Sequence, residues 1–596
     1  MTITTRPEIL TPHHLALAIA LGIAVSPAHA STFKLGEIEG QFDSSLSIGA
    51  SWSMRGADPK LIGPNNGGEG LSNTGDDGRL NFKKGETFSK IFKGIHDLEL
   101  KYQDTGVFLR GKYWYDFELK DESRPFKDID DHNRKMAARS SGSELLDAFG
   151  YHNYNIADLP GSVRLGKQVV SWGESTFILN SINAINPIDV AAVRRPGAEI
   201  KEGLIPVNMF YVSQSLTDKL SAEAFYQLEW DQTVVDNCGT FFSASDLAAN
   251  GCDDNFRVLS PKLARLQPIA AAFGQGFDVN TEGVLIPRSS DRDARNSGQY
   301  GIALRWLGDT TEYGAYFINY HSRLPFFSTQ TASSATFAAL PRILAATPAS
   351  FRTALGAATG LANGNYFMEY PEDIQLYGLS FSTNLPTGTA WSGEISYRPN
   401  APVDLNSNDV TNALLNPISG GSLSPIASSI GADNTGYRRK EVTQAQTTLT
   451  HFIEQFMGAN RLTLVGEVGW HHIGGLPEAT ADDLRFGRAS VFGSFGANGD
   501  VHGFYTSDSW GYRARAIWEY SDVFAGINLK PNLAWSHDVD GYSPVFNEGA
   551  KAISVGLDAD YRSTYTASLS YTDFFGGKYN TLVDRDFLAF SLGVTF

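Results

Sequence analysis

The densest group of chemically capable side chains lies between Val163 and Pro206. Trp172 and Glu174 flank Gly173, Asn183, Asn186 and Asp189 follow, and Arg194, Arg195, Glu199, Lys201 and Glu202 gather opposite charges around Pro196-Gly197. Mixed charge packed into one loop does the chemistry of selection and breaks no bonds. Folded across a pore, such a loop constricts it and sorts solutes by charge. The same charges also serve as salt bridges that pin a loop to a barrel wall, and the two roles are compatible.

No constellation for catalysis appears, and an enzyme is not expected. Gly173-Glu174-Ser175 lacks the second glycine of a nucleophile elbow. No phosphate loop or dinucleotide fingerprint is present, so no cofactor is implied. The 12 histidines show no zinc spacing. His471 and His472 are adjacent on a strand and point to opposite faces, which is poor ligand geometry. Asp253-Asp254 and Asp482-Asp483 read as solvated loop charges rather than calcium ligands, so no resident metal is expected. A net charge of −17 and a pI near 5.2 argue against nucleic-acid binding. The two cysteines, Cys238 and Cys252, suit a disulfide in an oxidising compartment. Closing a loop of roughly 15 residues contributes about 3 kcal/mol on the entropy model.

The elements that position these groups are strands. Phe587 to Phe596 alternates Leu588, Phe590, Leu592, Val594 and Phe596 with Ala589, Ser591, Gly593 and Thr595. A strand places such sets on opposite faces, here lipid and lumen of an outer-membrane barrel. A terminal aromatic, Phe596, on such a strand suits presentation to the barrel assembly machinery. Arg6, His13 and His14 precede an apolar run from Leu15 to Val25, then Pro27 and Ala28-His29-Ala30. This predicts a secretory signal over 1–30 cleaved after Ala30, because the run is about half the roughly 20 residues a spanning helix needs. Residues 31–596 then form one domain.

Period-2 segments recur from Ile38 to Met54 onward, joined alternately by short turns and long loops. Turns are expected at Ala157 to Gly161, Leu216 to Lys219, Gly308 to Thr311, Leu385 to Gly388, Phe456 to Asn460, Ser521 to Val523 and Arg562 to Thr564. This is the grammar of an all-β, transmembrane antiparallel up-and-down barrel of about 18 strands, with long extracellular loops that carry short helices. Tyr300, Ile302, Leu304 and Trp306, with Leu462, Leu464, Val468 and Trp470, should face lipid. Arg513, Arg515, Glu519, Asp558, Asp560, Glu223, Gln227, Glu229, Glu394 and Arg398 should face the lumen. Two Ala/Leu-rich loop pieces, Pro261 to Phe273 and Ser333 to Leu361, read as short amphipathic helices, either a cap or a lid lined with apolar side chains.

The runs GKQVVSWGESTF, INAINPIDV, RRPGAEIKEGLIPV, GQYGIALRWL, EDIQLYGLSFST and DRDFLAFSLGVTF together resemble the proteobacterial outer-membrane family catalogued as domain of unknown function 1302. The resemblance covers essentially the whole mature chain. It implies a porin-like barrel in the outer membrane of a Gram-negative bacterium, in contact with outer-membrane lipids. By analogy it also implies a periplasmic or lipoprotein partner and an inner-membrane exporter of the resistance-nodulation-division type. The function expected is a conduit for hydrophobic or amphipathic small molecules or lipids. The alternatives are a general diffusion porin for small hydrophilic solutes and a structural or surface-binding protein.

Overall fold

The computed structural model describes residues 31–480, 482–495 and 500–596; the signal sequence expected over 1–30, with its cleavage point, lies outside the described residues. The main sheet holds 19 strands. One of them, Ser31–Leu35, is short and lies on the first long strand. The other 18 close into an antiparallel barrel, the last strand, Phe587–Thr595, pairing with the first, Ile38–Ser53. We number these β1 (Ile38–Ser53), β2 (Thr87–Tyr102), β3 (Thr105–Asp116), β4 (Ser141–Ile156), β5 (Leu159–Gln168), β6 (Val207–Ser215), β7 (Leu220–Gln227), β8 (Tyr300–Leu307) and β9 (Thr311–Tyr320). The second half is β10 (Ile374–Asn384), β11 (Ala390–Asp404), β12 (Tyr437–Glu454), β13 (Arg461–Ile473), β14 (Asp508–Phe524), β15 (Ile527–Asp540), β16 (Lys551–Tyr561), β17 (Tyr565–Phe575) and β18 (Phe587–Thr595).

Alternation sets the faces as read from the sequence. Tyr300, Ile302, Leu304 and Trp306 are all exposed on the outside, as are Leu464, Val468, Trp470, Phe590 and Leu592. Such a belt suits hydrocarbon, since closure leaves no sheet edge and these outward residues are apolar. Leu462 shares this face but is buried, its cross-strand neighbours being the large Ile453 and Trp518. Inward-facing residues include Glu223, Gln227, Glu394 and Arg398. Glu229 is a correction: β7 ends at Gln227, the alternation ends with it, and Glu229 is exposed with its carboxylate 2.6 Å from Asn208 Nδ2.

Short connections gather at one rim of the barrel and long ones at the other. The turn expected at Ser521 to Val523 falls instead at Ala525–Gly526, because β14 runs on to Phe524 through a register irregularity after Tyr520. Asp522 lies inside the strand end and accepts from Gly526 N at 2.8 Å, tying the turn back.

At the long-loop rim the connections build a core of their own. Helices Ser334–Ala346 and Arg352–Ala362 pack Ile343, Leu355 and Ala358 against Leu263, Ala270 and Val284 of the neighbouring loop. The piece expected to be helical from Pro261 is a 3-10 turn, Pro261–Arg265, followed by the helix Gln267–Ala271. A second cluster joins Phe256, Ile286, Tyr366, Met368 and Leu415, and a third joins Val403, Leu405, Val410, Ile426 and Phe486. Fully burying such side chains is worth about 1.5–3 kcal/mol each.

Candidate functional site

Residues 169–206, between β5 and β6, turn inward and cross the lumen. Asn186 closes the neck of this segment: its Oδ1 accepts from Val170 N at 3.0 Å, and its Nδ2 donates to Gln168 O and Ile205 O at 3.2 and 3.0 Å. One buried amide therefore splices both ends of the excursion, satisfying backbone groups that no strand reaches.

The first half docks on β7 to β13. Trp172, 1% exposed, packs against the tilted rings of Phe225 and Tyr316 and donates its Nε1–H to Glu223 Oε2 at 2.7 Å. Gly173 has φ +93, and a Cβ there would run into the Glu394 carboxylate, so only glycine suits the position. Glu394 accepts from the backbone N–H groups of Glu174 and, at 3.3 Å, Ile182. Glu467, fully buried, accepts from Thr176, Phe177 and Ile178 N at 2.9, 2.6 and 2.7 Å. Gln444 and Gln446 donate to Leu179 O and Ile178 O, and Arg398 Nη2 donates to Asn180 O and Ser181 O, both at 2.6 Å. Asn183 is half-buried, its Nδ2 donating to Ser171 Oγ at 2.9 Å.

The second half docks on the opposite wall. Asp189, with no exposure, caps Ala192 N at 3.0 Å and pairs with Lys112 Nζ at 2.9 Å. Arg194 pairs with Asp236 at 3.0 Å, and Arg195 lies over Trp114 while donating to Ala137 O at 2.9 Å. Glu202 pairs with Lys93 and takes Glu199 N at 2.9 Å. Lys201 reaches Glu199 at 3.2 Å and Asp97 at 3.5 Å, and Asp97 holds Arg110 through two hydrogen bonds of 2.8 and 2.9 Å. Gly197, φ +66, brings the chain against Ser591 of β18. The structure thus joins the candidate residues in one excursion, with Asp189, Lys201 and Glu202 paired to the wall and Arg194 to the β7–β8 loop. Sequence reading missed the partners: Glu467, Gln444, Lys93, Lys112 and Asp97 carry no local signal beyond their place on the inward face.

Two cavities lie on the long-loop side of the segment. The inner one, about 400 Å³, has Asn180, Asn183 and Arg398 at its floor and Leu324, Phe326 and Val403 in its walls. The outer one, about 590 Å³, lies among the loops, with Phe256, Leu361 and Leu415 in its lining. Pro325, Phe327 and Ser407 line both.

Cys238 and Cys252 are joined in a disulfide within the β7–β8 loop. Asp253 faces Arg288 at 3.6 Å and Asp483 takes Thr480 Oγ1 at 2.8 Å. The one trio of acids among the described residues near enough to share a cation is Asp76, Asp77 and Asp246, whose oxygens lie within 4.8 Å. Lys127 already sits at 3.0 Å from Asp77 and 2.9 Å from Glu282. Burial raises Asp77 to about 7, against the pull of Lys127, and raises Asp246 with the repulsion of Asp77 added. Between the ordinary carboxylate value of 3.8 and about 7 the folded state therefore binds more protons than the unfolded, and stability falls as pH rises through that window. The melting temperature should be a few degrees higher at pH 5 than at pH 8, and Asp246→Asn should shrink the difference; equal values in the wild type would refute this.

The sequence matches no curated protein. Among solved structures the chain is similar to OccAB1 of Acinetobacter baumannii, at 9% identity and a TM-score of 0.40, covering 95% of this chain and 98% of that one. It is likewise similar to a BenF-like porin from Pseudomonas fluorescens Pf-5, at 7% identity and a TM-score of 0.40, covering 94% and 98%. The family model described as protein of unknown function (DUF1302) matches residues 11–596, nearly the whole length, and the chain belongs to that family.

Proposed function

We propose that the protein is an outer-membrane conduit for small amphipathic molecules, entered from the long-loop rim. The observation that carries this reading is the pair of cavities that share Pro325, Phe327 and Ser407 and lead from the loop cluster down to the inward segment. Their volumes fall in the roughly 300–1,000 Å³ range of small-molecule pockets, and their walls are mostly apolar with a few polar groups, the mix such pockets use. A pore for salts gains nothing from an apolar vestibule. The apolar belt and closed sheet support a membrane-spanning wall.

A second reading, a diffusion porin, is favoured by one feature. Among the described residues, no hydrogen bond or ion pair joins the inward segment to β14, β15, β16 or β17, whose inward residues include Arg513, Arg515 and Asp558. That strip would serve hydrophilic solutes.

Ser407 separates the two. It is small, partly buried and at the neck between the cavities. Ser407→Trp should lower the flux of an amphipathic dye into proteoliposomes by about tenfold while leaving sugar flux unchanged. Rapid sugar flux with dye flux indifferent to Ser407→Trp would favour the porin and overturn the conduit.

A further inference from the structure

The inner cavity is lined by two buried arginines that make no direct ion pair among the described residues. Arg323 is 7% exposed and Arg398 6%. Arg323 Nη1 donates to Asp231 O at 3.0 Å, and Nη2 to Ile185 O at 3.0 Å and to the Gln227 side-chain oxygen. Its Nε, shut off from water, has no hydrogen-bond partner among the described residues. Arg398 donates Nε to Tyr320 Oη at 3.0 Å and Nη2 to two carbonyls of the inward segment. No ion pair within 4.0 Å is made by either among the described residues.

Burying a cation among carbonyls alone is costly, because neutral dipoles do not replace the full hydration of a charge. Burial accordingly pulls Arg323 down to about 10, still protonated at neutral pH. The carboxylate on the cavity wall, Asp404, is already engaged, accepting from Tyr505 Oη at 3.0 Å. Asp231, whose charge favours the Arg323 cation from outside the lining, is itself paired with Lys135 at 3.5 Å. Two cations thus face one occupied acid in a chamber whose walls include Leu324, Phe326, Phe327 and Val403.

We propose that this chamber seats the head of an amphipathic anion, a carboxylate on an aromatic or medium-length apolar body. Arg323 and Arg398 supply its counter-charge, and the apolar body extends past Phe327 toward the outer cavity. Charge-assisted hydrogen bonds from guanidinium to carboxylate are among the strongest available in a site closed to water. The assignment rests on the conduit reading in taking the cavity as part of the cargo's path.

The test is calorimetric titration of the full barrel in lipid nanodiscs with 4-phenylbutyrate and with 4-phenylbutanol, which share a body and differ in charge. The wild type should bind the carboxylate at least tenfold more tightly than the alcohol. Arg323→Gln should lose that preference and keep alcohol binding, and Arg323→Lys, which retains the charge, should keep most of it. Equal binding of acid and alcohol by the wild type would overturn the proposal without any variant, as would an Arg323→Gln protein that still prefers the acid. Alcohol flux across liposomes with no preference for the acid would remove the anion site and leave the conduit. Tight acid binding with no flux of either compound would do the reverse.

Discussion

Replacing Glu394 and Glu467 together by glutamine should convert a barrel crossed by its own loop into one with a wide aqueous pore, read in planar bilayers as a several-fold rise in single-channel conductance. Glu467 accepts three consecutive backbone N–H groups, from Thr176, Phe177 and Ile178, and the Thr448 hydroxyl at 3.1 Å. Glu394 takes two more from Glu174 and Ile182. Hydrogen bonds to a charged group are worth about 1.5–3 kcal/mol each. Glutamine keeps the shape but offers one acceptor oxygen, and its amide hydrogens meet the loop's own N–H donors. The loss of anchoring should be on the order of 3–5 kcal/mol, the scale of breaking a buried charged contact. Glu454→Gln, at an exposed pair with Arg461, is the control and should conduct like the wild type. Wild-type conductance in the double variant would mean that the first half of the loop is not held by these carboxylates.

The second large effect should come from Asp189→Ala. Lys112 Nζ lies 2.9 Å from Asp189 and 3.5 Å from Glu144, and the lysine and Asp189 side chains are at most 3% exposed. Removing Asp189 strips the ammonium of its nearest partner and also uncaps Ala192 N. Breaking one partner of a buried pair costs about 3–5 kcal/mol, with a cap adding roughly 1 kcal/mol. The denaturant midpoint should fall accordingly. Asp189→Leu combined with Lys112→Met should recover most of the loss, because an apolar pair of similar volume carries no desolvation penalty. No recovery would show that the ion pair itself, and not the stranded charge, holds this half of the loop.

The wall was legible because its rule is local. Tyr300, Ile302, Leu304 and Trp306 alternate with Gly301, Ala303, Arg305 and Leu307, so one apolar face shows within eight residues. Boundaries were less legible where a register irregularity lets a strand outrun its turn signal, as at Asp522 in β14. Glu229 went astray for a related reason: parity has no meaning once hydrogen-bond pairing stops at Gln227. The inward segment stood out by composition, since Gly173, Asn186 and Pro196-Gly197 concentrate backbone-shaping residues among charges. Its anchors did not, because contact between Thr176 and Glu467 spans 291 positions. A carboxylate on an inward face looks the same whether it meets water, an ion or the backbone of a loop.

The apolar clusters built by the long loops give the molecule two bodies with different solvents. The staves are satisfied by hydrocarbon and by one another, whereas the rim assembly buries Ile343, Leu355, Tyr366 and Val410 as a water-soluble protein does. Substitutions that reshape the vestibule around Phe327 or Ser407 therefore leave the lipid-facing surface untouched. Changes of membrane thickness act on the staves and spare the rim. The rim cavities and the lipid-facing belt can therefore change independently in a chain built this way.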